Sequence, residues 1–471
     1  MRPAVGPCAD VPLASPAGRA VLAAATLGSA LALLDSTVVN VALRQVGEDL
    51  DAGLGILQWV SNGYLLSLAS LTLLGGSLGD RFGRRRVFVI GVVGFALTSA
   101  ACGLAPTAPV LVAARVAQGI AAALLVPGSL AMIQGTLAPA DRARAIGTWT
   151  GLGGVATAIG PLLGGWLVQS ASWRWVFLVN LPVAALALVA ARLVPESRDP
   201  EAVPGFDTRG AALGALSLGG VTYALIEWTA VPASAAVALA VGVAAGIAFV
   251  VVERRSAHPM LPLSLFGIRQ FSAANAMTLL TYAALGGVLF FLVLQLQTVA
   301  GFGPLAAGLS TLPITVVMLL LAGRGGALAG RIGPRLPMTV GPLLCGLGTL
   351  GLSRVDADPT YWLDVAVPLT VFGLGLASLV APLTATVLAA APDHHAGVAS
   401  GVNNAVARAG SLLAVAALPL LVGLSGEDYQ VASVFSDGYR AAMLWCAGLL
   451  AVSGVLSWLT IRNPVSDVPA P

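Results

Sequence analysis

The sequence predicts an all-α integral membrane protein with fourteen transmembrane helices, arranged as two six-helix bundles plus two inserted spans. Three observations carry this. Of 471 residues, 57% are hydrophobic and only 10% are charged, far from the balance of a water-facing surface. The charges are bunched between apolar runs of about 20 residues, each long enough to cross ~30 Å of hydrocarbon as a helix. Finally, one loop recurs at a constant offset of 250 positions: Gly76, Leu78, Arg81, Gly83 and Arg85 reappear as Gly326, Leu328, Arg331, Gly333 and Arg335.

In chain order the apolar runs fall at 20–42, 57–78, 87–105, 109–134, 145–168 and 175–194, then 210–229 and 232–252. Six more follow at 271–298, 305–329, 337–353, 362–390, 398–422 and 439–461. The first and ninth runs begin almost the same distance apart as the repeated loops, so two six-span units are related in parallel and two spans are inserted between them. The expected organisation is a tail over 1–19, an N-terminal six-helix bundle over 20–194, and a linker with two extra transmembrane helices over 195–270. A C-terminal six-helix bundle over 271–461 and a tail over 462–471 complete it. The stretches 196–209 and 253–269, charged and Pro-containing, suit cytoplasmic linkers. The run from 20 to 34 has the length of a leader-peptide core, but it continues past Asp35 to Leu43 and reads as an uncleaved first span.

Arginine sets the orientation. All 24 basic residues are Arg. Most lie in the tails and alternate loops of one face, which is therefore cytoplasmic; Arg2 and Arg19 ahead of the first span agree. Arg44, Arg174, Arg354 and Arg440 lie on the other face, and Arg115, Arg324 and Arg408 fall inside spans. An even span number puts both termini in the cytoplasm, giving a multi-pass protein of the cytoplasmic membrane. The net charge of +3 reports this orientation, and no basic patch with interleaved aromatics points to nucleic acid. Cys8, Cys102, Cys345 and Cys446 form no CxxC pair, so neither a disulfide framework nor a metal site is expected. No GxxxxGK[ST] loop is present, so ATP is not the expected energy source and no cofactor is expected. His258, His394 and His395 lie in loops and no span holds two acids, which leaves a membrane-embedded enzyme without its groups. The short tail after Arg462 offers no signalling extension for a receptor.

The residues resemble the major facilitator superfamily and, within it, the fourteen-span drug:proton antiporters of the EmrB/QacA type. GSLGDRFGRRRVF is similar to the superfamily signature GxLaDrxGrkxxl through Gly76, Asp80, Arg81, Gly83 and Arg84, with Arg85 where Lys is common and Phe88 at the final Leu. LVAARVAQGIAAA in span four resembles the antiporters' Arg-containing motif through Arg115, Gln118 and Gly119, with Ala121 replacing a usual Gly. ATAIGPLLGG in span five resembles gxxxGPxxGG through Gly160, Pro161, Gly164 and Gly165, with Ala156 departing at its first Gly. LDSTVVNVAL around Asp35 and WRWVFLVNLPV from Trp173 to Val183 point to the fourteen-span branch. The resemblance implies a major facilitator fold with a central cavity and rocker-type alternating access. It also implies that Arg115 is the partner of Asp35 in proton release.

The same residues have a physical reading of their own. A charge at mid-bilayer costs at least ~2.5 kcal/mol and faces a cavity or a partner. Asp35 and Arg115 are the leading proton-coupling and substrate candidates, because a titratable group alternates between neutral and charged forms as its surroundings change. Gln118, Asn403 and Arg408 are further candidates, the last two from GVNNAVARAGSLLAVA. Arg324 lies close enough to the cytoplasmic end of its span to snorkel, and Glu227 reads as interfacial. Asp80 can pair with Arg84 as a cytoplasmic latch, while the second copy carries Gly330 in its place and predicts a one-sided latch. The glycines of span five give close packing, and Pro161 favours a bend. Trp173, Arg174 and Trp175 read as interfacial anchors. The resemblance implies proton-coupled export of lipophilic drugs or antibiotics by a monomer whose partners are protons, small lipophilic substrates and the bilayer. The rivals are export of one endogenous metabolite and uncoupled uniport. With Asp35 the sole deep carboxylate, neutral, zwitterionic or monovalent substrates are expected and divalent dyes should be poor ones. Asp35→Asn is expected to fold and insert normally while losing coupling.

Overall fold

The computed structural model describes residues 10–198, 207–256, 259–392 and 396–463. Arg2, Cys8, His258, His394 and His395 lie outside these, as do parts of both tails and of the linker. Among the described residues the chain is helical, apart from loops and a single bridge between Val11 and Leu137.

The first helix, α1 (Pro16–Asp49), opens with Pro at its first position and with the Ser15 hydroxyl accepting from the Gly18 N–H, both favourable helix-start features. It runs past the expected end at 42 because Leu43, Val46 and Gly47 remain buried. There follow α2 (Leu54–Phe82), α3 (Arg84–Gly103), α4 (Ala108–Thr136) and α5 (Pro139–Ser170), then the short α6 (Trp175–Leu178) and α7 (Asn180–Ala191). The inserted pair is α8 (Thr208–Glu227) and α9 (Pro232–Arg255). The remainder comprises α10 (Arg269–Thr298), α11 (Pro304–Ser310), α12 (Leu312–Ile332), α13 (Arg335–Leu352), α14 (Val367–Ala390), α15 (Ala396–Leu421) and α16 (Ala432–Thr460).

Among the described residues, eleven helices are long and apolar enough to cross a membrane, and Trp175–Ala191 is a shorter apolar one. The chain is a multi-pass membrane protein. The second and eleventh expected spans, α2 and α13, fall outside the eleven; α2 buries Gln58, Asn62, Ser67 and Thr72 on its packed side, and the 18-residue α13 includes Arg335, Pro337 and Pro342. Three expected spans are locally irregular, each beside a proline whose missing N–H leaves an i−4 carbonyl unbonded. The break between α6 and α7 precedes Pro182, that between α11 and α12 precedes Pro313, and a π-turn over Tyr361–Ala366 precedes Pro368.

The chain divides into two compact units. The first comprises Met1–Met260 with Phe302–Leu309 and Ser425–Tyr429; the second comprises Leu261–Gly301, Ser310–Leu424 and Gln430–Pro471. In the first, α2 and α3 pack along α4, and α1 packs on α4, α5 and α7, around a core that includes Leu31, Tyr64, Phe88, Phe95 and Leu125. The insertion belongs to this unit. Its α8 lies on α2, where the Trp59 indole donates to Glu227 at 3.0 Å and stacks obliquely near Tyr223. In the second unit α10 packs on α15 and α16, and α13 and α12 pack on α14.

One expected anchor is corrected. Trp173 is only 1% exposed, with its indole donating to the Asp49 carboxylate at 2.8 Å and Arg174 donating to the same oxygen at 2.7 Å. The guanidinium of Arg174 covers the Trp173 ring, so this pair ties the end of α1 to the start of α6. Trp175 alone of the two tryptophans stays exposed.

Candidate functional site

Asp35, in the apolar sequence of α1, is fully buried at 0% exposure, and Arg115 of α4 is 1% exposed. Arg115 Nη1 donates to Asp35 Oδ2 at 2.5 Å and to Gln118 Oε1 at 2.7 Å, while its Nε donates to the Val60 carbonyl at 2.9 Å. Gln118, three residues further along α4, shares the same helix face and donates to Asp35 Oδ1 at 2.9 Å and to Ser99 Oγ at 3.0 Å. Asn180, the first residue of α7, donates to Asp35 Oδ1 at 3.1 Å and to Ser99 Oγ at 2.9 Å. The Ser99 hydroxyl donates to the Phe177 carbonyl, and the guanidinium lies over the rings of Tyr64, at 4.4 Å, and Phe177. Residues of α1, α2, α3, α4, α6 and α7 thus join one buried network around the Asp35–Arg115 pair.

Two opposite charges withdrawn from water are tolerated only when both are thoroughly paired. Here the carboxylate accepts N–H groups from three different side chains. Adding a proton to Asp35 would remove the charge that neutralises Arg115 and turn an acceptor oxygen into a donor. Asn180, which already donates to that carboxylate, has its own Oδ1 buried without a partner. Arg115 and Asp35 are therefore held in direct contact, each completing the other's charge. Asn180 and Ser99 escaped the sequence reading. The signal for Asn180 was one polar residue in an apolar run beside Pro182.

The loop between α2 and α3 turns on Gly83, whose φ of 114° lies where L side chains are strained. Arg84 Nε donates to Asp80 Oδ1 at 2.9 Å across this turn, and the Arg84 guanidinium fills the space over Gly135 of α4. Arg81 lies near the Phe82 ring. Gly76 has room for a side chain, since a Cβ there would make ordinary contact with Pro127, whereas Gly75 has no room against the Ala123 carbonyl. The repeat extends further than the sequence showed. The Arg85 N–H donates to Glu196 Oε1 at 3.0 Å, and in the second copy the Arg335 N–H donates to Asn463 Oδ1 at 3.1 Å, each beside a positive-φ glycine, Gly83 or Gly333.

In α5, Gly160 has no room for a Cβ against Thr37, and a Cβ on Gly164 would sit 3.0 Å from both the side chain and the carbonyl of Val38. Both glycines therefore seat α1, the helix that carries Asp35. Gly165 faces the backbone of Pro304 and Leu305, and Gly308 faces the Pro161 carbonyl. The other two candidates belong to the second unit. Asn403 of α15 donates to Thr278 Oγ1 at 2.7 Å and to Asn275 Oδ1 at 3.3 Å, and Arg408 lies further along the same helix.

The chain matches the Major Facilitator Superfamily over residues 25–209 and 205–415. It belongs to that superfamily. It is 36% identical to the tetracenomycin C resistance and export protein of Streptomyces glaucescens, covering 90% of this chain and 78% of that one. It is 35% identical to the methylenomycin A resistance protein of Bacillus subtilis, over 94% of this chain and 95% of the relative. The crystal structure of a D-xylose–proton symporter superposes with a TM-score of 0.68 at 17% identity, covering 94% and 98% of the two chains, a likeness of fold. The superfamily member described here is a transporter and not an enzyme.

Proposed function

We propose that this chain is a fourteen-span drug:proton antiporter of the EmrB/QacA type, exporting lipophilic drugs or antibiotics across the cytoplasmic membrane by alternating access. The observation that carries the reading is the sealed Asp35–Arg115 pair, a titratable group and a permanent cation held inside a transporter fold. In the proposed cycle Asp35 takes a proton from the outer side and releases Arg115. On the inner side the return of Arg115, favoured by arriving substrate, displaces the proton to the cytoplasm. The names of the relatives support drug export. Because two of them each name a single antibiotic, export of one endogenous compound is the second reading.

In this proposal residues 20–194 and 271–461 are the two moving bundles, 195–270 adds the two extra spans, both tails are cytoplasmic, and the protein works as a monomer. Gly76, Asp80, Arg81, Gly83 and Arg84 form the cytoplasmic gate; Gly160, Pro161, Gly164 and Gly165 hold α5 close to its neighbours. The test is export of neutral, monocationic and divalent probes from an efflux-deficient host, with and without a protonophore. Export of the first two classes, abolished by the protonophore, is expected. Export that continues unchanged would make the chain a uniporter and overturn the coupling.

The gate has its own expected result. The Asp80–Arg84 pair is partly exposed, so its loss costs stability only a few tenths of a kcal/mol. Asp80→Asn should therefore purify normally and bind labelled substrate, while its transport rate falls by about tenfold. Wild-type transport by this variant would remove Asp80 from the gate.

A further inference from the structure

At one membrane edge of the second unit, the chain brings three arginines to the end of a single helix. Arg269 is the first residue of α10 and Arg335 the first of α13, and both helices pack on α16, which ends at Thr460. The last carbonyls of a helix have no partner within it. Here Arg335 donates through Nε and Nη2 to the Trp458 carbonyl at 3.0 and 2.7 Å, and Arg269 Nη2 donates to the Leu459 carbonyl at 3.0 Å. Successive carbonyls therefore hold two guanidiniums side by side. Just beyond them, the Gln270 amide and the backbone of Arg462 exchange two hydrogen bonds, at 3.0 and 3.2 Å, which fixes a third arginine at the same edge.

Positive charge at a membrane edge orients a chain wherever the side chains point, so orientation alone does not call for guanidiniums held in fixed places. Each guanidinium carries five N–H donors, and the carbonyls take up two from Arg335 and one from Arg269. Among the described residues, none of the three arginines is in an ion pair. The helices α10, α12, α13, α14 and α15 contain no Asp or Glu. Asp437 stands near the opposite end of α16, about 30 Å along the axis from Trp458. Apolar surface adjoins these charges. Val452, Val455 and Leu459 form an exposed stripe on one face of α16, and nothing lies within 4 Å of a Cβ at Gly448 one turn before it. The exposed Trp458 ring joins the stripe to the charges, with the Arg335 guanidinium 4.2 Å from its centre.

We infer that Arg269 and Arg335, with Trp458 beside them, form a headgroup site for an anionic phospholipid. Its phosphate takes the remaining guanidinium donors, and its acyl chain lies along Val452, Val455 and Leu459. A soluble phosphate would leave that stripe unused. The bound lipid ties the starts of α10 and α13 to the end of α16. Such a site depends only on the chain's placement in a membrane and not on what it transports. The test titrates the purified full chain, in a neutral detergent, with phosphatidylglycerol, with phosphatidylcholine of the same chains and with inorganic phosphate, following the melting midpoint. Phosphatidylglycerol should raise the midpoint by a few degrees, at a concentration at least about tenfold below that of either comparison. Arg269→Gln and Arg335→Gln should each raise the phosphatidylglycerol concentration required by about fivefold. Arg254→Gln removes the same charge from the exposed end of α9 and should leave it within about twofold. Because Arg269 is exposed, its variant tests the site even where Arg335→Gln is destabilised by the loss of its bonds to α16. Equal action of phosphatidylcholine would reduce the site to apolar contact, and equal action of inorganic phosphate would make it a free-anion site. Equal weakening by Arg254→Gln would show diffuse surface charge, and undiminished binding in Arg269→Gln would remove that arginine from the site. Each of these four results overturns the assignment.

Discussion

Asp35→Asn is expected to lose export and also to be markedly less stable than the wild type. The amide keeps the shape of the carboxylate, but it removes the charge that neutralises Arg115, a side chain only 1% exposed. Breaking a buried pair from one side costs about 3–5 kcal/mol, because the remaining charge is stranded. Arg115→Ala strands Asp35 in the same way. The double variant Asp35→Asn/Arg115→Gln removes both charges and should recover most of the lost stability without recovering export. Thermal unfolding in detergent, followed by gel filtration of the heated samples, separates these outcomes. The geometry thus revises the expectation from sequence that Asp35→Asn folds as the wild type does. A single variant as stable as the wild type would mean that Arg115 does not depend on Asp35.

Gly164→Val is expected to have the next largest effect. The first atom of any side chain at 164 meets the Val38 carbonyl and side chain at 3.0 Å. The larger valine must push α1 away from α5, at a cost of about 1–3 kcal/mol for overpacking. Since Val38 follows Asp35 by one helical turn, the displacement also moves the carboxylate against its three donors. Export should fall by about tenfold or more even where the protein is recovered folded. Gly154→Val in the same helix is the control, because nothing lies within 4 Å of a Cβ there, and its export should match the wild type. Equal effects at 154 and 164 would show that helix propensity, and not contact with α1, governs this segment.

The legible parts of the molecule were those fixed by local chemistry. Helical character and membrane placement follow from apolar run length, and the repeat at an offset of 250 follows from the loop residues alone. Asp35 and Arg115 stand out because a charge at membrane depth is costly wherever it is found, and Gln118 through the resemblance of its motif. What the sequence withheld depends on which distant elements meet. Val60 enters the site through a backbone carbonyl, which has no sequence signature. Asn180 lies in the same short stretch as Trp173, Arg174 and Trp175, and only those three carry a role in the sequence reading. Trp173 was misjudged because its partner, Asp49, is 124 residues away. Glu196 and Asn463 cap equivalent turns from positions 111 and 128 residues away, a symmetry visible only after folding.

Proton release by purified protein in liposomes is the most direct test of the role given to Asp35. With a pH-sensitive dye on the side from which substrate is added, wild-type protein should release protons when a transported compound binds, in proportion to the protein present. The double variant Asp35→Asn/Arg115→Gln should bind the same compound and release none. Proton release by that variant equal to the wild type would contradict Asp35 as the carrier and reduce the pair to packing.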